Sequence, residues 1–149
     1  RLKWPNDLFY QDQKLGGILI ENTLSAGQIQ YSVAGIGINV NQTLFEVPTA
    51  TSLSRLTGRA YALPTLVARL LESLERRYLQ LRAGQLAQLQ QQYRQVLYRY
   101  DEWHAFEVDG KRVQGRIVDV TEEGLLVLEL ATGQQRRFGL QEIRHVLND

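Results

Sequence analysis

Two lysines, a carboxylate and a pair of glycines crowd the start of the chain, in Lys3-Trp4-Pro5-Asn6-Asp7 and Lys14-Leu15-Gly16-Gly17-Ile18-Leu19. Ammonium groups relieve the repulsion that grows when two anions are brought together, and a fixed carboxylate can orient an incoming ammonium and help remove its proton. That is equipment for holding a polyphosphate and a nucleophilic amine together, and it suggests activated acyl transfer. Pro5 lacks an amide hydrogen and biases Trp4 towards an extended conformation, so the first motif reads as a rigid corner that Lys3 enters and Asp7 leaves. Lys3 is thereby a candidate phosphate contact and Asp7 a candidate acceptor for the amine. Lys14 stands before Gly16-Gly17, where missing Cβ atoms let a ligand approach the backbone or relieve a tight strand. Taken singly, a lysine or aspartate beside a turn is most often merely solvated. A third motif, Gly35-Ile36-Gly37-Ile38-Asn39-Val40-Asn41, admits two readings. It is either a flat strand packed closely on another backbone, which spacing alone slightly favours, or a floor at Gly37 beneath a planar base whose edge Asn39 reads.

These groups need elements to position them. Residues 14–24 and 28–40 are two β-rich runs joined at Ser25-Ala26-Gly27, expected to form an antiparallel hairpin in a core sheet with part of it buried on both faces. Residues 51–58 read as a short helix with hydroxyl residues at its start and glycine at its end. Between Pro64 and Arg82, Leu66, Val67, Leu70, Leu71, Leu74 and Tyr78 recur with helical spacing. Leu86, Leu89, Tyr93, Val96 and Leu97 mark a second amphipathic helix, and the two are expected to pack as an antiparallel pair against the sheet. After Tyr100 the texture changes to short strands near 106–108, 113–120, 125–130, 135–138 and 144–147, with glycine turns at Asp109-Gly110, Glu123-Gly124 and Thr132-Gly133. The fold class expected is α+β: an antiparallel sheet packed with helices over residues 1–100, then a small SH3-like β-barrel over 101–149.

Composition bounds the chemistry. A chain of 149 residues with 44% apolar content can bury a core, and the absence of cysteine removes disulfides, thiolate metal sites and a cysteine nucleophile. That usage fits the reducing cytoplasm. No apolar run approaches the roughly 18 residues of a membrane span, and nothing at the start resembles a signal peptide. Net charge is +1 but uneven: residues 1–100 hold 11 Lys/Arg against 6 Asp/Glu, and 101–149 hold 6 against 10. The acidic tail speaks against a nucleic-acid partner, and the basic excess of the front is mostly a solvated face. His104 and His145 are far apart and lack partner spacing, so they read as ordinary residues of the tail and no metal site is expected. The chain starts at Arg1, and its most chemical motif follows at once, so upstream residues that complete the site are expected.

In this order and at these distances, the three motifs resemble the biotin protein ligase family, and Ala50-Thr51-Ser52-Leu53 with Thr57-Gly58, the long helix and the β-rich tail extend the resemblance over nearly the whole chain. The resemblance implies an enzyme that joins biotin to ATP as biotinyl-5′-adenylate, releasing pyrophosphate, and then transfers biotin to a lysine of a biotin carboxyl carrier protein. By the same resemblance, Lys14 contacts the biotin carboxylate and the adenylate linkage, Lys3 the ATP phosphates, Asp7 orients the acceptor amine and Asn39 reads adenine. Asn6, Gly16, Gly17 and Gly37 complete the substrate and nucleotide site. Magnesium is expected with ATP, held mainly by phosphate oxygens. The family's glycine- and arginine-rich loop lies upstream of the tryptophan-proline motif, so this stretch alone is expected not to adenylate biotin efficiently. A homodimer is compatible with an exposed sheet edge. Two alternatives stand beside this reading: a lipoate or octanoyl ligase with related adenylate chemistry, and a non-enzymatic protein-interaction module presenting a small barrel.

Overall fold

Turn chemistry and alternation carry this chain into an α+β fold with two antiparallel sheets. The computed structural model describes residues 1–147. Its elements are β1 (Leu2–Lys3), β2 (Asp7–Tyr10), β3 (Gln13–Ser25), β4 (Gln28–Ile38), α1 (Leu53–Thr57), α2 (Leu63–Arg82), α3 (Leu86–Val96), β5 (Trp103–Val108), β6 (Lys111–Val120), β7 (Leu126–Leu130), β8 (Gln135–Phe138) and β9 (Ile143–His145). They group into two compact units, Arg1 with Asn6–Leu79 and Leu2–Pro5 with Gln80–Asp149. These extents differ from the 1–100 and 101–149 expected from sequence. The reason is visible in the second unit, whose core takes in Trp4 and Leu97 along with residues of the tail.

In the first unit β3 lies between β2 and β4, antiparallel to both. Ala26 and Gly27 both have positive φ, 50° and 78°, which lets the chain reverse in two residues; the pairing runs from Ser25 opposite Gln28, through a one-residue shift between Thr23 and Leu24, down to Gly16 opposite Ile38. The expected burial of this hairpin on both faces is not found. Leu19 and Tyr31 are 62% and 63% exposed, and Ile20, Leu24, Ile29 and Val33 are exposed with them. Neighbouring positions on a strand point to opposite faces, so both faces of the outer hairpin are apolar and open. Helix α2 keeps the predicted periodicity, yet none of its residues is buried and Val67, Leu71, Leu74 and Tyr78 are exposed. The expected seating of the long helix on the sheet is therefore absent within this unit. An amphipathic stripe specifies a face; burial needs an opposing surface of matching shape, and no described element of the unit supplies one.

The second unit has that surface. Its sheet runs β8-β7-β6-β5-β9, and alternate residues of its strands, Phe106 and Val108, Leu126 and Leu128, enter one core with Trp4, Leu97, Ile117, Phe138 and Ile143. Burying a side chain of this size contributes about 1.5–3 kcal/mol. Asp109 and Gly110, both at positive φ, close the β5–β6 hairpin. The indole Nε1–H of Trp4 donates to the Gly124 carbonyl at 2.9 Å, which satisfies its polar edge while the ring is buried. Leu2 bridges Leu97, and the Tyr98 amide donates to the Leu2 carbonyl at 2.7 Å, so the short strand β1 belongs to this unit. Helix α3 has no buried residue but lays Tyr93 against the core.

Candidate functional site

The Asp7–Lys14 pair is built by a register fault. Asp7 faces Gly17 and Leu8 faces Gly16, but Phe9 then faces Lys14, so a bulge at Leu8/Phe9 leaves Leu15 without an opposite residue. In an unbroken ladder Lys14 would oppose Tyr10 and point to the other face from Asp7; one inserted residue returns it to the face Asp7 occupies. The outcome is an ion pair, Lys14 Nζ to Asp7 Oδ1 at 2.5 Å, with the lysine side chain 49% exposed and the aspartate 20%.

Backbone hydrogen bonds fix the pair from beneath. The Asn6 carbonyl accepts from the Ile18 amide at 2.8 Å, tying the residue before Asp7 to β3. On its other side Lys14 is clamped by the segment before α1: its amide donates to Thr49 O at 2.7 Å, and its carbonyl accepts from the Thr51 amide at 2.9 Å. Thr51 and Ser52 are buried polar residues. Ser52 Oγ donates to the Gln42 carbonyl at 2.5 Å and accepts from the Arg55 amide at 3.1 Å, capping α1 as its sequence predicts.

Gly16 and Gly17 do different things. A Cβ on Gly16 would lie 2.1 Å from the Gly37 carbonyl oxygen, so only glycine allows β3 and β4 to close there. At Gly17 a Cβ would sit 3.5 Å from Asp7 Oδ1 and 4.0 Å from Lys14 Cε, which places its bare backbone directly under the ion pair. Gly37 lies opposite Gly17. Asn39, just past β4, joins this end of the hairpin: its amide N–H donates to Leu15 O at 2.8 Å and its Nδ2 to Thr51 O at 3.0 Å. One of the two Nδ2–H donors is thus committed to holding the loop, and the second N–H and Oδ1 remain as the groups able to meet a ligand. Asn6, Asp7, Lys14, Gly16, Gly17, Gly37 and Asn39 all lie in the first unit.

Lys3 belongs to the second unit. There it lines a cavity of about 370 Å³ with Trp4, Leu140, Gln141, Arg144 and His145. Two readings missed something. Thr51 was legible only as part of a helix start, whereas its backbone and carbonyl link Lys14 to Asn39. His145 reads as unremarkable, whereas its ring stacks obliquely on Phe106 and Tyr98, 5.0 and 5.8 Å between centroids, and neither ring nitrogen has a hydrogen-bond partner. Burial first, then the charges of Lys3, Arg99 and His104, push its pKa down to about 3. No sequence spacing signals that environment; it arises when β9 pairs with β5.

Residues 1–39 match the Biotin/lipoate A/B protein ligase family, and residues 105–140 match the Biotin protein ligase C terminal domain. The chain is 36% identical over 131 residues to a biotin--[acetyl-CoA-carboxylase] ligase of Mycobacterium tuberculosis, covering 87% of this chain and 47% of that protein. It is 35% identical over 82 residues to the bifunctional ligase/repressor BirA of Bacillus subtilis, covering 52% of this chain and 25% of that protein. The chain therefore spans less than half the length of these curated relatives. Among solved structures, the biotin protein ligase of Aquifex aeolicus has the same fold, with a TM-score of 0.75 at 24% identity, over 97% of this chain and 64% of that one. A further structure of that protein holds biotin and ATP. With residues 1–39 matched by one family model, residues 105–140 by the other, and 36% identity to a biotin--[acetyl-CoA-carboxylase] ligase over 87% of this chain, the chain belongs to the biotin protein ligase family.

Proposed function

We propose that this chain supplies part of the active site and the C-terminal region of a biotin protein ligase, which activates biotin with ATP and delivers it to a lysine of a biotin carboxyl carrier protein. The observation that carries this reading is the Asp7–Lys14 pair poised over Gly17 at the matched end of the hairpin. In the first step the biotin carboxylate attacks the α-phosphorus of ATP and pyrophosphate leaves with the electron pair of the broken P–O bond. Two anions must meet, and the ammonium groups of Lys14, at the carboxylate, and Lys3, at the phosphates, lower the cost of that approach. In the second step the acceptor amine attacks the acyl carbon, the C–O bond to AMP breaks, and AMP departs as the anion. Asp7 orients the amine and takes its proton. Asn39 presents Oδ1 towards adenine, Asn6 supports the Asp7 corner, and Gly16, Gly17 and Gly37 leave the hairpin floor bare for the bound adenylate. Magnesium accompanies ATP through its phosphate oxygens.

The same reading assigns residues 1–100 to the catalytic region and 101–149 to an SH3-like module, in a cytoplasmic protein able to pair as a homodimer. No helix among the described residues is long and apolar enough to cross a membrane. Biotin is favoured over lipoate because residues 105–140 match the Biotin protein ligase C terminal domain.

Single-turnover formation of biotinyl-adenylate tests the proposal. A longer protein carrying this chain forms it from biotin and ATP, and Lys14→Ala lowers the rate by a hundredfold or more, the scale for removing one preorganised charge stabiliser. Residues 1–149 alone form it poorly. Preference for lipoate over biotin, or no acyl-adenylate with either, would exclude the assignment.

A further inference from the structure

Three hydrogen bonds hold Asn39, and two of them come from the residues on either side of Ser52. Its Nδ2 donates to the Thr51 carbonyl at 3.0 Å, its own carbonyl accepts from the Leu53 amide at 3.0 Å, and its amide donates to Leu15 O at 2.8 Å. We propose that Ser52 is a positioning residue for base recognition: its hydroxyl fixes the Thr51 carbonyl, and that carbonyl sets which way round the Asn39 amide is presented, so that the site takes adenine and refuses guanine. This deepens the ligase reading and rests on its assignment of Asn39 to the base edge.

A carbonyl oxygen only accepts, so the end of the Asn39 amide that meets Thr51 O is the NH2 group, and Oδ1 with the second N–H is left for a base. Adenine offers a donor at N6 beside a ring acceptor, which an amide matches by setting its oxygen on the donor and its N–H on the acceptor. Guanine carries the acceptor O6 where adenine has N6, so Oδ1 would face another oxygen. An amide turned over to suit guanine would lose its bond to Thr51. Discrimination therefore depends on Thr51 O staying in place.

Ser52 keeps it there. The Thr51–Ser52 peptide is planar, so Thr51 O and Ser52 Cα move as one body. Ser52 is 0% exposed, and its Oγ donates to Gln42 O at 2.5 Å while accepting from the Arg55 amide at 3.1 Å. Helix capping accounts for the Arg55 bond alone. The bond to Gln42, three residues beyond Asn39, reaches across to the segment that bears Asn39 and ties it to the start of α1. The Leu53 and Ser54 amides extend the same seam, donating to the carbonyls of Asn39 and Val40 at 3.0 and 2.9 Å. Without the hydroxyl, the Gln42 carbonyl and the Arg55 N–H lose a buried partner, and the peptide carrying Thr51 O relaxes to restore one.

The experiment measures kcat/KM for ATP and for GTP in biotin-dependent pyrophosphate release, using a longer protein that carries this chain. Wild type prefers ATP, and Asn39→Ala, which removes the amide, removes most of that preference. Ser52→Ala narrows the ATP-to-GTP ratio about fivefold, the worth of one ordinary hydrogen bond, and adds nothing to the loss already caused by Asn39→Ala. A role in stability alone would scale both nucleotides together and leave the ratio untouched. Should Ser52→Ala not fold, Ser52→Cys, which keeps a side chain of similar shape with a weaker donor, is read in the same way. A wild-type ratio in the Ser52 variant, or an equal narrowing in the Asn39→Ala background, overturns the positioning role and leaves the ligase reading intact. A wild-type ratio in Asn39→Ala overturns the assignment of Asn39 to the base, and the positioning role with it. Wild-type protein that releases no pyrophosphate overturns the ligase reading itself.

Discussion

The hairpin β3–β4 and the five-stranded sheet β5–β9 are both antiparallel, both rich in β-branched and aliphatic residues, and both pinned by turns at positive φ. Their environments are opposite. Phe106, Ile117, Leu126 and Leu128 of the sheet are fully buried, while Leu19, Ile20, Tyr31 and Val33 of the hairpin are exposed. The sheet is held by what its side chains exclude from water; the hairpin is held by its ladder, and its functional end by hydrogen bonds that Thr49 accepts and that Thr51 and Asn39 donate. The paired carboxylate and ammonium stand in the unit where, among the described residues, Phe9 is the buried apolar side chain. Charged groups can be held there half-solvated, at far less desolvation cost than the interior of the sheet would impose.

Truncation of the sheet's core is expected to break the comparison most severely. Phe106→Ala should cost about 3–5 kcal/mol, read as a lowered denaturant midpoint for the second unit. A loss below about 1 kcal/mol would mean that the sheet, too, is held mainly by its ladder.

Acid should act on the same unit. His145 has a pKa near 3 when folded against an ordinary 6.5 when unfolded, so the unfolded chain binds the extra proton first. Its contribution is fully present above 6.5 and is lost as pH falls towards 3, by up to about 1.4 kcal/mol for each pH unit in that window. Equilibrium unfolding from pH 7 to 4 measures the slope, and His145→Phe should flatten it. An identical slope in the variant would assign the acid sensitivity to carboxylates.

The hairpin is probed by Gly16→Ala, which pushes a methyl into the Gly37 carbonyl. A loss of about 1–3 kcal/mol is expected from overpacking, together with faster amide exchange at Ile38 and Asn39. The smallest effect should follow Tyr31→Ser on the exposed outer hairpin, within about 0.5 kcal/mol in unfolding. A larger loss would show that the open face is covered in solution.

Most elements were legible in the sequence to within two or three residues, though the short strands β1 and β2 were not. Ser25-Ala26-Gly27 and Asp109-Gly110 announce reversals because few residues tolerate positive φ, and Ser52 with Gly58 brackets α1 by capping. The same reading overstated burial. Alternation and helical stripes in residues 18–36 and 63–79 state which side chains prefer an apolar surface, and that preference is satisfied only where another element of complementary shape arrives. At the site, the types and spacing of Lys14, Gly16 and Gly17 pointed to the chemistry, while the pairing with Asp7 could not be read, because residue counting puts Lys14 on the wrong face.

By itself, then, the sequence determined the order of strands and helices, the turns between them and the charged groups near its start. These follow from backbone sterics and short-range hydrogen bonding, which act over a few residues. Only the tertiary structure decided that a bulge opposite Phe9 swings Lys14 onto Asp7, that Thr51 fastens Lys14 to Asn39, and that His145 loses its solvent between two aromatic rings. Each of those depends on segments distant in the chain meeting in one register, and a one-residue slip in that register would undo it.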